Sequence, residues 1–581
     1  MTPSETAGHI GPEGVYLGSE SRWYPDISDS LASYELAVRL PPNWVSISQG
    51  VEGRSPGQWS VPTKNEALTL AANQFVVRTR EWKATNGQSI GLGAYLFKED
   101  AHLADEYLDA CARYLDAYIP LLGPYPFPKF AVVENFFSSG LGMPSFTLLG
   151  AAIIKRHYTQ PYALGHEIVH SWIGNGVYNR HDSANWVEGL TTYLTNYYYH
   201  ELIGDEVQAK EQRRLMLFGY AVYVKRDQDY PVARFTRKTD EKDNAIGYQK
   251  AAMVFHMLRR EIGESKFWSG LKALVNEGMG SYVDWSDVER VFTRVTGQDL
   301  RWFFGQWVER SGAPQLIVTE ARVRQAARSS SGAPSYESNV TLIQKNASYR
   351  IPVDVGLKNE NGSRAIEHIL LAAAEQSASI TTSFVPQTLI VDPEFHLFRR
   401  LERDELPAML NLFVTDPRRT IIQFSGESVD RTPFAGIIQR VKVQEGMKPE
   451  GERTRIMATA KPTLDEDGSI LLLGHAPDSV PAELIRESCG ERFAVTESGF
   501  RVAGHTYNGP TFAVVVSCSR RHLRGSVLTF VYGNTAEAVA KMTRLLFFYG
   551  WQSYVVFDEG SVVARGEWDT TAASEVIFGH R

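Results

Sequence analysis

Residues 165–172 read Gly165-His166-Glu167-Ile168-Val169-His170-Ser171-Trp172 and contain the pattern H-E-x-x-H. On an α-helix, side chains at positions i and i+4 share one face, about 5–6 Å apart. Two imidazoles at that spacing can bind one zinc ion at about 2.0–2.1 Å each. Glu167 lies beside them, close enough to reach a water at the metal but not placed as a ligand. We therefore predict a zinc-binding helix in which Glu167 acts as the general base.

A catalytic zinc site usually has three protein ligands and one open position, so a third ligand is expected from a second helix. Glu188 lies in the segment Trp186-Val187-Glu188-Gly189-Leu190. The intervening residues 174–176 and 179–183 are rich in Gly, Asn, Asp and Ser and can form the turn between antiparallel helices. The predicted ligands are His166, His170 and Glu188, and they bind about one zinc ion per chain.

The alternative to a metal site is two surface histidines that happen to flank an acid on one helix. A bare H-E-x-x-H does not decide between the two interpretations, and the position of Glu188 favours the metal site. The remaining histidines of this region are expected to be ordinary polar residues rather than ligands: His157, His181, His200 and His256.

Length and composition bound the class of protein. With 581 residues the chain is too long for one hydrophobic core, so three or four domains are expected. The net charge of −7 gives no reason to expect a nucleic-acid or membrane-surface partner. No apolar run is long enough to span a membrane and no signal peptide is visible. We therefore expect a soluble protein that is cytoplasmic by default.

The three cysteines, Cys111, Cys489 and Cys518, are far apart, and no C-x-x-C pattern occurs. That spacing predicts neither a disulfide framework nor a thiolate zinc site. We expect all three to be buried as small apolar side chains.

Hydrophobic periodicity divides the chain into four predicted domains and indicates a multidomain α+β protein. Short alternating runs predict a β domain over residues 1–96. Helical spacing dominates a catalytic domain over 97–315. Short strands between turn residues predict a β-sandwich over 316–402. Alternating strands and helices predict an α/β domain over 403–581, in which we find no nucleotide-binding motif.

The zinc motif resembles that of a known family. Residues 166–175 read H-E-I-V-H-S-W-I-G-N and are similar to the H-E-x-x-H-x-W-x-G-N of the gluzincin aminopeptidases, the aminopeptidase N and leukotriene hydrolase family. Residues 186–193, W-V-E-G-L-T-T-Y, resemble the family's L-N-E-G-F-A-x-Y. The family usually has 18 residues between the second His and the Glu, whereas residues 171–187 make 17 here. The resemblance implies a thermolysin-like, mostly helical catalytic domain and a zinc-dependent peptidase.

The resemblance also assigns a role to Tyr248. Residues 248–251, Y-Q-K-A, are similar to the family's Y-x-K-G, with Ala251 in place of the glycine. It implies that Tyr248 donates a hydrogen bond to the oxyanion of the tetrahedral intermediate. Such a donor opposite the metal stabilises the charge that develops in the transition state.

The substrate-binding edge departs from the family. Family aminopeptidases carry G-x-M-E-N there, and its Glu holds the free amine of the substrate. Here residues 139–145 read S-G-L-G-M-P-S, so Met143 falls where that Glu should be. We predict that Gly140, Gly142 and Met143 line the substrate, and that a free N-terminus is required only weakly. Glu134, which lies earlier in the chain, is the alternative source of a carboxylate.

The leading interpretation is a zinc-dependent metallopeptidase that acts on peptides. Two alternatives stay open at this point: a zinc hydrolase of a non-peptide bond, as in the leukotriene-hydrolase branch, and a binding or scaffolding protein that acts through its C-terminal domain. The N-terminal β domain is about half the usual size in the family. Either it is reduced, or the chain lacks an upstream segment that could carry an export signal. The oligomeric state is not predicted.

Overall fold

The structure, a computed structural model, describes residues 7–25, 30–156, 162–180, 183–326, 334–346, 348–424, 433–445, 454–458, 467–475, 482–520, 522–569 and 575–578. The chain divides into two compact units. The first comprises Met1–Tyr220, Arg226–Ala313 and Glu394–Phe398, and the second comprises Ala221–Lys225, Pro314–Pro393 and Arg399–Arg581. Both helices and sheets are present, which confirms a multidomain α+β protein.

The first unit begins with nine short strands. They are β1 (Gly8–Gly11), β2 (Gly14–Leu17), β3 (Ala32–Ala37), β4 (Val45–Ser48), β5 (Val51–Glu52), β6 (Gln58–Asn65), β7 (Leu70–Asn73), β8 (Val76–Lys83) and β9 (Ser89–Leu96). Two small sheets have the orders β1-β2-β7-β4 and β3-β6-β5. Burial in them follows the apolar residues: Ile47, Trp59 and Ala71 join one core cluster.

Helix α1 is followed by three strands, which complete a five-stranded sheet with β8 and β9. They are α1 (Ala104–Leu122), β10 (Lys129–Asn135), β11 (Gly140–Met143) and β12 (Phe146–Gly150). The sheet order is β11-β12-β10-β9-β8, so β11 is an edge strand, and it pairs antiparallel with β12. Strand β9, which ends at the predicted domain boundary at residue 96, pairs with β10 in this sheet. The glycine-bearing β11 therefore presents one free edge of backbone groups.

The rest of the first unit is mainly helical, as predicted. Its elements are α2 (Ala151–Ile154), α3 (Tyr162–Val169), β13 (Tyr178–Asn179), α4 (Val187–Thr192), α5 (Tyr199–Leu202), α6 (Glu206–Tyr223), α7 (Glu241–Asp243), α8 (Ala251–Ile262), α9 (Glu264–Gly278), β14 (Tyr282–Val283), α10 (Trp285–Thr296) and α11 (Arg301–Trp307). Two π-helical segments, Tyr193–Tyr198 and Asn244–Lys250, join α4 to α5 and α7 to α8. Segments of this kind recur at functional sites.

The second unit opens with two antiparallel sheets built from β15 (Gln315–Gln325), β16 (Tyr336–Lys345), β17 (Ile351–Lys358), β18 (Arg364–Leu371), β19 (Glu375–Thr382) and β20 (Thr388–Val391). Their orders are β15-β16-β19 and β18-β17-β20, the latter extended by the chain's last strand, Glu575–Ile577. Five of these strands overlap short runs that the sequence predicts as strands, namely residues 316–323, 339–343, 351–356, 366–371 and 388–391. Strand β19, whose sequence is Glu-Gln-Ser-Ala-Ser-Ile-Thr-Thr, was not predicted because it has almost no apolar alternation.

The C-terminal part of the second unit is an α/β assembly. Its elements are α12 (Leu410–Thr415), β21 (Arg419–Gln423), α13 (Ala435–Glu445), β22 (Arg455–Ala458), β23 (Ser469–His475), α14 (Ala482–Cys489), β24 (Phe493–Thr496), β25 (Gly499–Val502), β26 (His505–Asn508), β27 (Phe512–Ser519), β28 (Val527–Gly533), α15 (Ala536–Met542), β29 (Tyr554–Asp558), β30 (Ser561–Gly566) and β31 (Glu575–Ile577). The main sheet has the order β22-β21-β23-β28-β27-β29-β30, and β24-β25-β26 form a second one. Strands β23 and β28 are almost wholly buried, as their runs of apolar residues predict. Strand β21, Arg-Thr-Ile-Ile-Gln, is buried beside them although only its centre is apolar.

One prediction about the cysteines is wrong. Cys489, at the end of α14, forms a disulfide with Cys518 in β27, across a sequence separation of 29 residues. The helix packs on the strand, and both side chains belong to one apolar cluster, so the fold brings together two residues that their spacing could not pair. Cys111 is free and fully buried in α1, as expected.

The described residues contain no helix that is both long enough and apolar enough to cross a membrane.

Candidate metal centre and active site

Helix α3 brings His166 and His170 onto one face. The backbone N–H of His170 donates to the carbonyl of His166 (3.1 Å), so the helical turn continues through the second histidine. The two Nε2 atoms lie 3.1 Å apart, and the rings meet edge to face. The Nδ1 of His170 lies 2.9 Å from the carbonyl oxygen of Ile173. Because a carbonyl only accepts, that Nδ1 carries the proton and Nε2 presents a lone pair to the site.

Glu188 reaches the same point from the first turn of α4. Its Oε2 lies 3.3 Å from Nε2 of His166 and 3.7 Å from Nε2 of His170. Gly189 is required for this placement, because a Cβ at that position would collide with the Cβ of Ala251 in α8. Ala251 takes the place of a glycine in the motif that follows Tyr248. The close approach of α4 and α8 therefore connects Glu188 to the helix that follows Tyr248.

The three side chains fit a zinc ion. In a tetrahedral site with bonds of about 2.0–2.2 Å, ligand atoms lie roughly 3.3–3.6 Å apart. The donor atoms here are separated by 3.1, 3.3 and 3.7 Å. Oε2 of Glu188 is buried and has no hydrogen-bond donor. Lone pairs that converge without a cation are costly, and a divalent ion satisfies all of them.

The fit extends to the charge of Glu188. Burial by itself raises the pKa of this carboxyl, but the close approach of His166 at 3.3 Å and the charge of His170 outweigh burial and lower the pKa to about 2. Glu188 is therefore ionised at any pH at which the histidines can act as ligands. Within the described part of the chain, this is the one group of three or more His, Cys, Asp or Glu side chains that could hold a metal ion.

The carboxylate of Glu167 lies beside the edge strand. A Cβ built on Gly142 would collide with Oε2 of Glu167 and lie 3.5 Å from Cβ of His170. A side chain at position 142 would therefore displace the carboxylate. Burial raises the pKa of Glu167 to about 7, and the charge of Glu188 adds to the rise while His170 opposes it. A carboxylate with a pKa near neutrality can both take and return a proton.

Tyr248 faces the site from the π-helical segment before α8. Burial raises the pKa of its phenol, and the charge and hydrogen bond of Glu188 raise it further, so the hydroxyl is a stable donor at neutral pH. The ring of Phe235 packs against it edge to face, with centroids 5.7 Å apart. The fully buried Lys250 donates to the carbonyl of Gly312 (2.9 Å) and anchors the same segment.

These groups open into a cavity of about 520 Å³. His166, Glu167, His170, Glu188 and Tyr248 line it. Gly140, Leu141 and Gly142 of β11 line the same cavity. An extended peptide can add to the free edge of β11 while its carbonyl faces the three ligands.

Met143 does not line this cavity. Its side chain lies in an adjoining cavity of about 300 Å³, where its sulfur accepts a hydrogen bond from the hydroxyl of Thr69 (3.5 Å). Met143 follows Gly142 on the strand, and successive side chains of a strand point to opposite faces. The family's amine-binding carboxylate thus has no counterpart at this position.

Glu134 is not that carboxylate either. It is 1% exposed, and its Oε2 accepts from the backbone N–H of Phe97 (2.8 Å). Burial raises the pKa of Glu134 to about 8, and Asp100 raises it further. The sequence did not single out Glu66, which lines both cavities. It lies in the loop between β6 and β7 and carries no local signal, so only the fold reveals it.

The other histidines are not ligands where the structure describes them. His256 lies in α8, fully buried, with its Nε2 3.1 Å from Nδ1 of His396. His200 is buried at α5, near Asp205. His157 and His181 lie outside the described residues.

Comparison with known proteins agrees with this geometry. Residues 145–307 match the Peptidase family M1 domain. Aminopeptidase N of Caulobacter vibrioides is 24% identical over 333 residues, which are 52% of this chain and 37% of that protein. The mitochondrial aminopeptidase 2 of Saccharomyces cerevisiae is 26% identical over 212 residues, which are 34% of this chain and 22% of that protein. The chain thus spans less than two fifths of either relative.

A solved structure shows the fold as well. The crystal structure of Legionella pneumophila aminopeptidase A in complex with aspartic acid aligns with a TM-score of 0.52 and 18% sequence identity, over 76% of this chain and 53% of that one. The matched segment, residues 145–307, contains the three candidate metal ligands together with Glu167 and Tyr248. The chain thus resembles peptidase family M1, and the relatives that it matches are aminopeptidases, aminopeptidase N among them.

Proposed function

We propose that this chain is a zinc-dependent metallopeptidase that hydrolyses peptide bonds. The observation that carries the proposal is the convergence of His166, His170 and Glu188 on one point, with Glu167 held between them and the free edge of β11. His166, His170 and Glu188 would hold about one zinc ion per chain. When bound there, zinc supplies Lewis-acid chemistry, which polarises a carbonyl group and makes a nearby water more acidic.

Glu167 carries the proton through the reaction. As a carboxylate it removes a proton from the water that attacks the carbonyl carbon, and a new C–O bond forms. As a carboxylic acid it then returns that proton to the nitrogen of the leaving amine, and the C–N bond breaks. The raised pKa of Glu167 suits both steps, because neither protonation state is strongly disfavoured near neutral pH.

Tyr248 and β11 orient the substrate. The phenol of Tyr248 donates a hydrogen bond to the oxygen that becomes negative as the carbonyl carbon turns tetrahedral. Backbone groups of Gly140–Met143 pair with an extended peptide and hold its scissile bond next to Glu167. Gly140 and Gly142 have no side chains, so a peptide can approach the backbone of that edge.

We propose further that the enzyme is aminopeptidase-like without strict recognition of a free N-terminus. The position of the family's amine-binding Glu is taken by Met143, and Glu134 is buried elsewhere. The adjoining cavity also leaves room for residues upstream of the cleaved bond. We expect cleavage both after the first residue of a peptide and at bonds further inside it.

The test is a peptide library incubated with the zinc-loaded chain and read by mass spectrometry. Cleavage should stop on chelation, return when zinc is added, and be absent from Glu167→Gln that has been purified in parallel. The variant should still bind zinc, because Glu167 is not a ligand. Equal cleavage by Glu167→Gln would contradict the proposal, since it would show either a contaminating peptidase or a different base.

A further inference from the structure

Two cavities meet at the edge strand of the candidate active site. The larger one contains the three predicted metal ligands, and the smaller one, of about 300 Å³, adjoins it. Both are lined by Glu66, Leu141, Gly142 and Asn175, so a bound peptide can pass from one to the other. Glu66 is the carboxylate at this junction.

The direction of β11 says which end of a substrate reaches the smaller cavity. An extended peptide that adds antiparallel to β11 runs from the Met143 end toward the Gly140 end. Gly142 lies beside Glu167, so the scissile bond belongs next to Gly142. Residues upstream of that bond therefore lie toward Met143, which lines the smaller cavity.

The fold positions Glu66 firmly at that place. The phenol of Tyr282 donates to its Oε1 (3.3 Å), and the phenol of Tyr178 donates to the carbonyl of Lys64 (3.2 Å), near the end of β6 just before the loop. Tyr178 and Tyr282 are paired on adjacent parallel strands. Two tyrosines from neighbouring strands thus hold a loop that belongs to the N-terminal β region.

The smaller cavity is negatively charged. Glu20 and Glu66 both line it, and its described lining contains no Lys, Arg or His. The phenol of Tyr16 also faces it, and burial together with the charge of Glu20 raises the pKa of that tyrosine. A cationic group that enters this cavity lies near a half-buried carboxylate. Electrostatic complementarity therefore favours binding of the cationic group over its neutral analogue.

We propose that Glu66 is a specificity-determining residue that binds a cationic group of the substrate upstream of the cleaved bond. That group is either the α-ammonium of the N-terminus or the side chain of Arg or Lys. The inference rests on the proposed peptidase function, and it assigns to Glu66 the charge recognition that Met143 cannot supply. Recognition is a preference rather than a strict requirement, because the cavity also has room for a neutral side chain.

Two pairs of peptides distinguish the sources of the cation. One pair places Arg or its neutral isostere citrulline one or two residues upstream of the cleavage site. The other pair has a free or an acetylated N-terminus. The wild type should prefer the cationic member of at least one pair by about three- to tenfold in kcat/KM. Glu66→Gln should lose that preference, and the matched variant Glu35→Gln should keep it, since Glu35 is exposed on β3 and lines neither cavity.

The outcome assigns the ligand. Loss of the preference in the Arg and citrulline pair identifies a basic side chain, and loss in the acetylation pair identifies the α-ammonium. A preference that is unchanged in Glu66→Gln, or absent from the wild type in both pairs, overturns the proposal.

A binding measurement separates failure of this inference from failure of the proposed function. Glu167→Gln, with and without Glu66→Gln, is titrated with the same four peptides by fluorescence anisotropy. The cationic peptides should bind more tightly to Glu167→Gln than to the double variant by a similar factor, whether or not the wild type cleaves them. Equal affinities in the two backgrounds overturn the role of Glu66 even if peptidase activity is present.

Discussion

The carboxylate of Glu167 occupies the space that a side chain at Gly142 would need. The proposed general base and the proposed substrate-binding strand are thus close neighbours, and the lack of a side chain at Gly142 allows this close approach. A backbone hydrogen bond from β11 to a peptide would bring the scissile carbonyl to the same place. Gly142 would therefore affect both the binding of a peptide to β11 and proton transfer by Glu167.

Gly142→Ala should lower kcat/KM by about 10²-fold while zinc content stays unchanged. The added methyl group displaces the Glu167 carboxylate, and a shift of about 1 Å in a reacting group can cost this much. Steady-state kinetics and elemental analysis of the same preparation measure both quantities. Gly91→Ala is the matched control, because a Cβ at Gly91 on the same sheet meets its nearest neighbour at 3.7 Å, an ordinary contact. Equal rates for the two variants would refute the contact between Gly142 and Glu167.

Tyr248→Phe should lower kcat by about 10²–10³-fold, because it removes one donor to the oxyanion. The phenol is not a metal ligand, so zinc content should not change. The effect should appear in kcat more than in KM, since the hydrogen bond is strongest in the transition state. Tyr549→Phe, in the second unit, controls for the loss of a phenol elsewhere. A Tyr248→Phe enzyme with near-normal kcat would remove this residue from the mechanism.

Glu134 should make the stability of the first unit depend on pH. Its Oε1 is buried and accepts no hydrogen bond, and the Oδ2 of the neighbouring Asp100 is buried with an ion pair to Lys155 (3.3 Å). A proton held by Glu134 can be donated to Asp100, which satisfies both carboxyl groups. The folded pKa of about 8 lies above the unfolded value near 4.5, so the folded state holds a proton that the unfolded state has lost. The stabilisation is complete below about pH 4.5 and is lost as pH rises toward 8, by no more than about 1.4 kcal/mol per pH unit.

Urea denaturation of the wild type and of Glu134→Gln at several pH values between 5 and 8 measures this effect. The amide cannot titrate, can still accept from the backbone N–H of Phe97, and can donate to Asp100. The difference between the two proteins should therefore change with pH in the stated direction. A difference that is constant over this range would show that Glu134 is ionised throughout.

Removal of the Cys489–Cys518 disulfide should destabilise the second unit by about 3–4 kcal/mol, since the bond closes a loop of roughly 30 residues. Reducing agent should lower the midpoint of one thermal transition in the wild type and leave the variant with Cys489→Ala and Cys518→Ala unaffected. Zinc content should not respond, because the ligands belong to the first unit. Intact-mass measurement before and after alkylation shows whether the bond is formed. Disulfides persist mainly in oxidising compartments, so its presence would favour such a location over the cytoplasm expected by default.

The convergence of His166, His170 and Glu188 was predictable because its geometry is mostly local. His166 and His170 share a helix turn, and that spacing alone places both on one face. Glu188 follows after a turn-rich segment, so a second helix could be expected to return to the first. Tyr248 required the resemblance to a family, since a lone tyrosine on a helix usually packs in a core.

The rest depended on contacts that are distant in sequence. Glu66 reaches the site because Tyr282, 216 residues away, holds its carboxylate. The disulfide forms because α14 packs on β27. The side on which the Met143 side chain lies depends on which face of β11 is turned toward the candidate metal site. A shift of one residue along a strand reverses that face. No periodicity in the sequence encodes these relationships.

We propose that His166, His170 and Glu188 hold zinc for peptide hydrolysis while Glu167 acts on the water. The most direct test is elemental analysis of purified wild type, Glu167→Gln, His170→Ala and Glu188→Ala after exposure to one equivalent of zinc and removal of excess metal. We predict about one zinc ion per chain in the wild type and in Glu167→Gln, and little in His170→Ala or Glu188→Ala. Full zinc occupancy in both of the latter variants would contradict the account.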